Sequence, residues 1–333
     1  MSIKIAINGF GRIGRPALKI ILDKHPDLEV VAINDLTDSK TLAHLLKYDS
    51  NYGIYPRNVS YDAENVIVDG KKFRVFAERE PEKLLWKDLG VDVVLECTGF
   101  FTTKEGGEKH IKAGAKRVVI SAPCKGAGVK TLIIGVNEKD YDPKSDTVIS
   151  NGSCTTNCLA PLAKVLNDNL GIEKGYMSTV HSYTNDQRIL DLPHSDIRRA
   201  RAAAISIIPT TTGAASAVVA ALPVLKGKLE GGAMRVPTSI VSIADFIAIV
   251  NKNAGTEEIN NLFVQAANGA MKGVLGVSSE PLVSIDYKGN PLSSIVDLPL
   301  TVANGNLVKV SSWYDNEWGY TNRLVEMAKF IGK

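Results

Sequence analysis

The stretch NGFGRIGR, residues 8–15, constrains the fold more than any other part of the chain. It follows an apolar run, Ile3 to Ile7, and opens an amphipathic one, so Gly9, Gly11 and Gly14 stand in G-x-G-x-x-G spacing between a predicted strand and a predicted helix. Such glycines serve a tight turn, backbone approach to a pyrophosphate, and close helix-to-strand packing. The helix start adds unpaired N–H groups and a positive dipole end, both suited to a diphosphate. Glycines with this spacing also mark plain turns. The context favours a dinucleotide, because the next strand ends at Asn34-Asp35, about 20 residues beyond Gly14, where a carboxylate can accept hydrogen bonds from a ribose 2′-OH.

The remainder of the first 150 residues alternates short apolar runs with longer amphipathic ones, the pattern of parallel strands joined by helices. Candidate strands are Ile3 to Ile7, Val30 to Ile33, Val91 to Glu96, Arg117 to Ile120, Leu132 to Gly135 and Val148 to Ser150. After Leu170 the stretches become longer and β-rich: Tyr176 to Ser182, Ala233 to Val250 and Leu307 to Trp313. Thr256 is expected to cap a helix running through Ala270, and Asn304-Gly305 to form a hairpin turn. Tyr320 to Ile331 reads as a final helix with Leu324, Met327, Ala328 and Ile331 on one face. The expected class is therefore α/β: a doubly wound parallel-sheet domain over residues 1–150, completed by the C-terminal helix 316–333, and an α+β domain of mixed or antiparallel sheet over 151–315.

Composition excludes several classes. The net charge of +3 is spread over 39 basic and 36 acidic residues, which gives no support for nucleic-acid affinity. No apolar run reaches the roughly 18 residues of a membrane span, and Met1 passes into Ile3 to Ile7 without the longer apolar segment of a secretory signal. The four cysteines, Cys97, Cys124, Cys154 and Cys158, fit neither a disulfide framework nor a zinc site, so no metal is expected and free thiols in a cytoplasmic setting are.

The stretch SNGSCTTNC, residues 150–158, lies where the two patterns meet. Ser153 can cap a helix, which puts Cys154 in its first turn, where the dipole favours thiolate over thiol. Pro161 then calls for a kink or an early break. A cysteine there can equally be a small buried hydrophobe, the reading given to Cys158. A lone histidine such as His181 is more often a structural hydrogen-bonding group.

NGFGRIGR, SNGSCTTNC, TVHSYTNDQ, RRARAAA, IPTTTGAA, RVPT and WYDNEWGY occur in this order. With them the chain resembles bacterial-type phosphorylating glyceraldehyde-3-phosphate dehydrogenases, from residue 3 to the C-terminus. The resemblance implies a Rossmann domain binding NAD, a catalytic domain, and a homotetramer acting on glyceraldehyde 3-phosphate and inorganic phosphate. It implies Cys154 as nucleophile and His181 as general base. Substrate phosphate then falls to Thr184 and Arg235, and the second anion to Ser153, Thr155, Thr212, Gly213 and an arginine among Arg198, Arg199 and Arg201, with Arg199 favoured. For the cofactor it implies Asn8, Gly9, Phe10, Gly11, Arg12, Ile13 and Gly14 of the glycine loop, Asn34 and Asp35 at the ribose, and Arg79 on the adenine side. Thr98, Gly99 and Ser121 follow later strands, Asn316 fixes the nicotinamide carboxamide, and Tyr320 lies beside it. Leu192-Pro193 match part of a loop that packs against a neighbouring subunit's cofactor. Gly152, Ser216 and Cys124 depart from the family's usual alanine, lysine and alanine. An erythrose-4-phosphate dehydrogenase, and a nucleotide-binding RNA-binding or adhesion module, are the alternative expectations.

Overall fold

The apolar run at the N-terminus becomes a central strand, Ile3–Asn8, buried along most of its length. In the computed structural model, which describes residues 2–333, this strand lies in a nine-stranded sheet. On one side it pairs in parallel with Val93–Glu96, then Arg117–Ile120, Val148–Ser150 and Lys130–Thr131. On the other side come Leu28–Asn34 and Lys71–Phe76, also parallel. Strand order thus reverses around Ile3–Asn8, and a doubly wound sheet receives ligands at the carboxyl ends beside such a reversal. The sheet belongs to a unit made of the chain up to Leu132, Lys139–Gly152 and Thr321–Lys333.

Two features of this unit differ from expectation. The sheet is not wholly parallel, because Asn65–Val68 and Val59–Tyr61 extend it with antiparallel pairing. Asp69-Gly70 closes the hairpin with φ of 49° and 80°, the two positive values that an Asp-Gly hairpin turn accommodates. Leu132 to Gly135 is not a strand. Extended pairing stops at Thr131, Asn137 Oδ1 accepts from Ile133 N–H at 2.9 Å, and Gly135 takes a φ of +80°, so the chain turns there.

The glycine loop is shaped by close approach. Gly9 has a φ of +91°, and a Cβ on it would lie 2.7 Å from Thr98 N. A Cβ on Gly14 would lie 2.1 Å from the Gly9 carbonyl oxygen, so the helix Gly14–Lys24 starts directly against the turn that feeds it.

The second unit, Ile133–Glu138 and Ser153–Tyr320, is built on a mixed sheet of eight strands. Ile172–Ser182 runs parallel to Leu229–Val236 and antiparallel to Ser242–Val250, which in turn pairs with Leu307–Tyr314. The single β-rich stretch expected from Ala233 to Val250 is thus two strands, separated around Pro237 and by Val241, whose φ is +69°. One sheet face packs on the helices Cys154–Leu170, Ala214–Ala221 and Thr256–Asn268, around Leu159, Leu162, Met177, Phe246 and Phe263. The cap of the helix Thr256–Asn268 is Gly255 rather than Thr256, which is its first helical residue. The hairpin loop falls one residue later than expected, at Gly305-Asn306, because Asn304 still pairs with Leu307. The final helix is Trp318–Ile331, with Leu324, Met327 and Ala328 fully buried. Among the described residues no helix is long and apolar enough to cross a membrane.

Replacing Gly14 with Ala forces its Cβ into the Gly9 carbonyl. The expected loss is about 1–3 kcal/mol, the range for overpacking a filled site. It should appear as a lower denaturant midpoint at unchanged slope; an unaltered midpoint would contradict the packing described.

Candidate active site

The helix Cys154–Leu170 begins at a complete capping box. Ser153 Oγ accepts from Thr156 N–H at 3.0 Å, and Thr156 Oγ1 accepts from Ser153 N–H at 3.1 Å. Two of the donors near a helix start are thereby satisfied reciprocally. Cys154 is the first helical residue and is half-buried, while Cys158, one turn further, is fully buried at 3.7 Å from Ser294 Oγ. Burial pushes the Cys158 thiol up to about 12. Pro161 removes one N–H from the ladder without ending the helix, which continues to Leu170.

His181 and Arg235 meet through strand register. They are direct partners in the parallel pair Ile172–Ser182 and Leu229–Val236, and partners in parallel strands project to the same sheet face. His181 is buried, with Nε2 3.5 Å from Cys154 Sγ. Its Nδ1 lies 2.7 Å from the Ser182 carbonyl, which only accepts, and 2.6 Å from Arg235 Nη1, which only donates. A proton on Nδ1 directed at the carbonyl leaves the Nε2 lone pair facing sulfur, the geometry of a base. The other tautomer presents Nε2–H to sulfur and favours a thiolate.

Burial and charge oppose each other here. Burial pushes the Cys154 thiol up; the Arg235 guanidinium, the Thr155 hydroxyl and nearby backbone N–H groups act the other way. Burial therefore works against the thiolate preference expected from the helix start, and the net direction at Cys154 is upward. Burial, then Arg235, lowers His181 to about 3. Both shifts run toward the neutral thiol and the neutral imidazole, a direction that follows from the cost of burying either charge.

Tyr314 is a residue that reading the sequence missed. Its hydroxyl lies 2.9 Å from Thr155 Oγ1 and 2.8 Å from Thr179 Oγ1, and its ring stands edge-on to His181. Within WYDNEWGY, Asn316 and Tyr320 were singled out and Tyr314 was not. The pairing of Leu307–Tyr314 with Ser242–Val250, which brings it here, has no local sequence signal. Asn316 is buried, and its Oδ1 accepts from Ser182 Oγ at 3.0 Å and from Ser242 Oγ at 3.2 Å. With Oδ1 accepting from both hydroxyls, Nδ2 is left as the donor of the amide.

The expected anion-binding residues fall into separate groups. Ser153, Thr155 and Arg235 surround the Cys154–His181 pair, and buried Arg235 Nε has no hydrogen-bond partner among the described residues. An orphaned guanidinium donor fits an anion. Thr212 Oγ1 accepts from Ala214 N–H at 3.2 Å, and Gly213 caps the helix Ala214–Ala221. Thr184 N–H donates to Gln187 Oε1 at 3.3 Å. Arg199 is held by Asp186 and lies 3.4 Å from Asp196, with Nη2 donating to the Thr211 carbonyl. Arg201 pairs with Asp191, whereas Arg198 is exposed.

In the first unit, Asp35 accepts from Phe10 N–H at 2.8 Å and from Thr37 N–H at 3.0 Å. The helix Gly14–Lys24 has no side-chain cap at Ile13 and no acidic residue in its first turn, and a Cβ on Gly11 would meet nothing within 4 Å. An uncapped helix start beside an open glycine suits a pyrophosphate. The Arg12 side chain turns aside to Asp49 at 2.6 Å. Gly99 has a φ of +74° and is exposed, as is Arg79, while Ser121 N–H donates to the Glu96 carbonyl. Tyr320 is buried. Among the described residues no group of His, Cys, Asp and Glu could hold a metal ion.

A nucleophilic sulfur beside a base can add to an aldehyde, and oxidation of the adduct requires an acceptor that a dinucleotide-type sheet is built to hold. The class that follows is a dinucleotide-dependent oxidoreductase. Residues 3–104 match the NAD binding domain of glyceraldehyde 3-phosphate dehydrogenase, and residues 153–316 match that enzyme's C-terminal domain. The chain belongs to the glyceraldehyde 3-phosphate dehydrogenase family. It is 58% identical over 332 residues to the glyceraldehyde-3-phosphate dehydrogenase of Geobacillus stearothermophilus, covering 99% of this chain and 98% of the relative. Identity is also 58% over 334 residues to glyceraldehyde-3-phosphate dehydrogenase 1 of Bacillus subtilis (strain 168), covering 100% and 99%. Against glyceraldehyde-3-phosphate dehydrogenase 2 of Streptomyces avermitilis it is 52% over 333 residues, covering 100% and 99%.

Because Arg235 lowers the thiol against burial, Arg235→Leu should move the pH midpoint of Cys154 alkylation by iodoacetamide upward. A midpoint that stays in place or falls would remove Arg235 from the electrostatics of the sulfur.

Proposed function

We propose that Cys154 and His181 carry out the oxidative phosphorylation of D-glyceraldehyde 3-phosphate to 1,3-bisphosphoglycerate, with NAD and inorganic phosphate. The observation that carries this reading is the 3.5 Å approach of His181 Nε2 to Cys154 Sγ at a capped helix start, in a chain of this family. Sulfur bonds to the aldehyde carbon, the thiol proton passes to His181 Nε2, and its return to the carbonyl oxygen gives a thiohemiacetal. When that carbon gives up its hydride, the hydroxyl proton goes back to His181 and a thioester remains on Cys154. NAD, when bound, supplies the hydride acceptor. Phosphate oxygen then bonds to the thioester carbon, the C–S bond breaks, and the departing sulfur takes the proton held on His181, which restores the thiol and the neutral imidazole as the acyl phosphate departs.

The residues divide this work. Thr155 N–H and the neighbouring backbone donors favour negative charge on sulfur. Arg235, with its orphaned Nε, and Thr184 serve the substrate phosphate; Ser153, Thr155, Thr212, Gly213 and Arg199 serve the incoming anion. Arg199 must exchange a carboxylate partner for phosphate, a swap between similar ligands. Asp35 accepts from a ribose hydroxyl and repels a 2′-phosphate, which favours NAD over NADP. Asn316 Nδ2 donates to the nicotinamide carboxamide.

Cys154→Ser should abolish turnover, Cys158→Ser should retain most of it, and His181→Asn should lower kcat by roughly 10²- to 10⁴-fold. NAD reduction followed spectrophotometrically with and without phosphate checks all three. Full activity in the Cys154 variant would refute the covalent route, and sustained turnover independent of phosphate would refute the acyl phosphate product.

The chain also reads as one subunit of a cytoplasmic homotetramer. Four free cysteines suit a reducing compartment. Ile189, Leu190, Leu192, Ile197, Ile205 and Ile207 are each more than half exposed within one segment, and apolar clusters of this kind mark association surfaces. Light scattering should give a mass four times that of the chain, and Leu192→Asp with Ile197→Asp should lower it. A fully active monomer would contradict the assembly.

A further inference from the structure

The mechanism leaves unused a buried carboxylate and imidazole beneath the glycine loop. Glu96 ends the strand Val93–Glu96 and His110 lies in the helix Lys104–Lys112; both side chains are fully buried. Neither was picked out from the sequence, since a terminal strand glutamate and a histidine in a charged helix look solvated.

The hydrogen bonds around Glu96 have only one consistent direction. Trp86 Nε1–H can only donate, and it does so to His110 Nδ1 at 3.0 Å. The His110 proton is therefore on Nε2, which donates to Glu96 Oε2 at 3.0 Å. Thr98 N–H donates to Glu96 Oε1 at 2.8 Å, joined by the Thr98 hydroxyl. Both carboxylate oxygens must accept, so Asn8 approaches Glu96 with its Nδ2. Asn8 Oδ1 then accepts from Asn34 Nδ2 at 2.7 Å, and Asn34 Oδ1 accepts from Glu78 N–H at 2.9 Å. One chain of donors and acceptors with fixed polarity thus joins the carboxyl ends of three neighbouring strands. Beyond those ends lie Gly9, Asp35 and the Thr98-Gly99 turn, and Gly9 has no room for a Cβ against Thr98.

We propose that Glu96, oriented by His110, is a positioning residue for NAD: it sets the amide orientations of Asn8 and Asn34 and clamps the Gly9 and Thr98 turns in the geometry the dinucleotide meets. This rests on the NAD-dependent function given above. An isosteric amide at position 96 exposes the mechanism. Its oxygen must face Thr98 N–H, which leaves its NH₂ group against the donors of Asn8 and His110. Turning Asn8 over to accept passes the conflict to Asn34 and then to Glu78 N–H. Buried polar networks are costly when one member is reversed.

Titration of the full-length protein with NAD tests this. Glu96→Gln should weaken NAD binding at least about tenfold and raise KM for NAD. KM for glyceraldehyde 3-phosphate and the alkylation rate of Cys154 in the NAD-free protein should be unchanged. If Glu96→Gln folds poorly, position 110 decides. His110→Gln keeps a donor for Glu96 and an acceptor for Trp86 and should bind NAD within about threefold of wild type, whereas His110→Leu should lose affinity. Unchanged NAD affinity in Glu96→Gln, equal losses in the two His110 variants, or a parallel loss of Cys154 reactivity would each overturn the proposal. Failure of the wild-type protein to bind NAD would instead overturn the function on which it rests.

Discussion

The packing of the helix Cys154–Leu170 into the core is the constraint on which the candidate centre depends. Its apolar residues, from Cys158 and Leu159 to Leu166 and Leu170, fill the core of the second unit and fix the helix against the sheet. A helix so held cannot shift its first residue without breaking the Ser153–Thr156 box or opening the core. The sulfur is therefore placed by packing, while its partners come from strands whose register is set independently. The pairing of His181 with Arg235 does the rest. A slip of one residue in either strand would send one of those side chains to the opposite face.

Once assembled, the centre is governed by one shared cation. Arg235 favours ionisation of Cys154 and disfavours protonation of His181, so it opposes burial at the first and reinforces burial at the second. An anion held by Arg235 offsets part of its charge and raises the basicity of His181. In the proposed assignment phosphate recognition and proton transfer thus meet at one guanidinium, which a neutral hydrogen-bond donor could not reproduce.

What the sequence made legible was local. The glycine spacing, the Ser153 cap, the first-turn position of Cys154 and the face of the last helix each depend on residues within a few positions of one another. Non-local geometry was not legible. His181 and Arg235 are 54 residues apart and meet only through strand pairing, and Tyr314 reaches Thr155 across 159 residues. The balance of burial against charge at Cys154 was missed for the same reason, because the dipole is written in the local sequence and the surrounding packing is not. The Asp69-Gly70 hairpin was a local signal, overlooked because an expected βαβ alternation was given precedence over turn chemistry. Glu96 and His110 show the limit most clearly: their burial follows from how one helix covers one sheet.

The covalent step gives the most direct measurement. With glyceraldehyde 3-phosphate and NAD but no inorganic phosphate, the thioester has no acceptor other than water and should accumulate. Intact-protein and peptide mass spectrometry of the acid-quenched reaction should then show a phosphoglyceroyl adduct on Cys154 and none on Cys97, Cys124 or Cys158, and added phosphate should remove it. An unmodified Cys154 under conditions of NAD reduction, or an adduct on another cysteine, would contradict the placement of the reaction at this helix start.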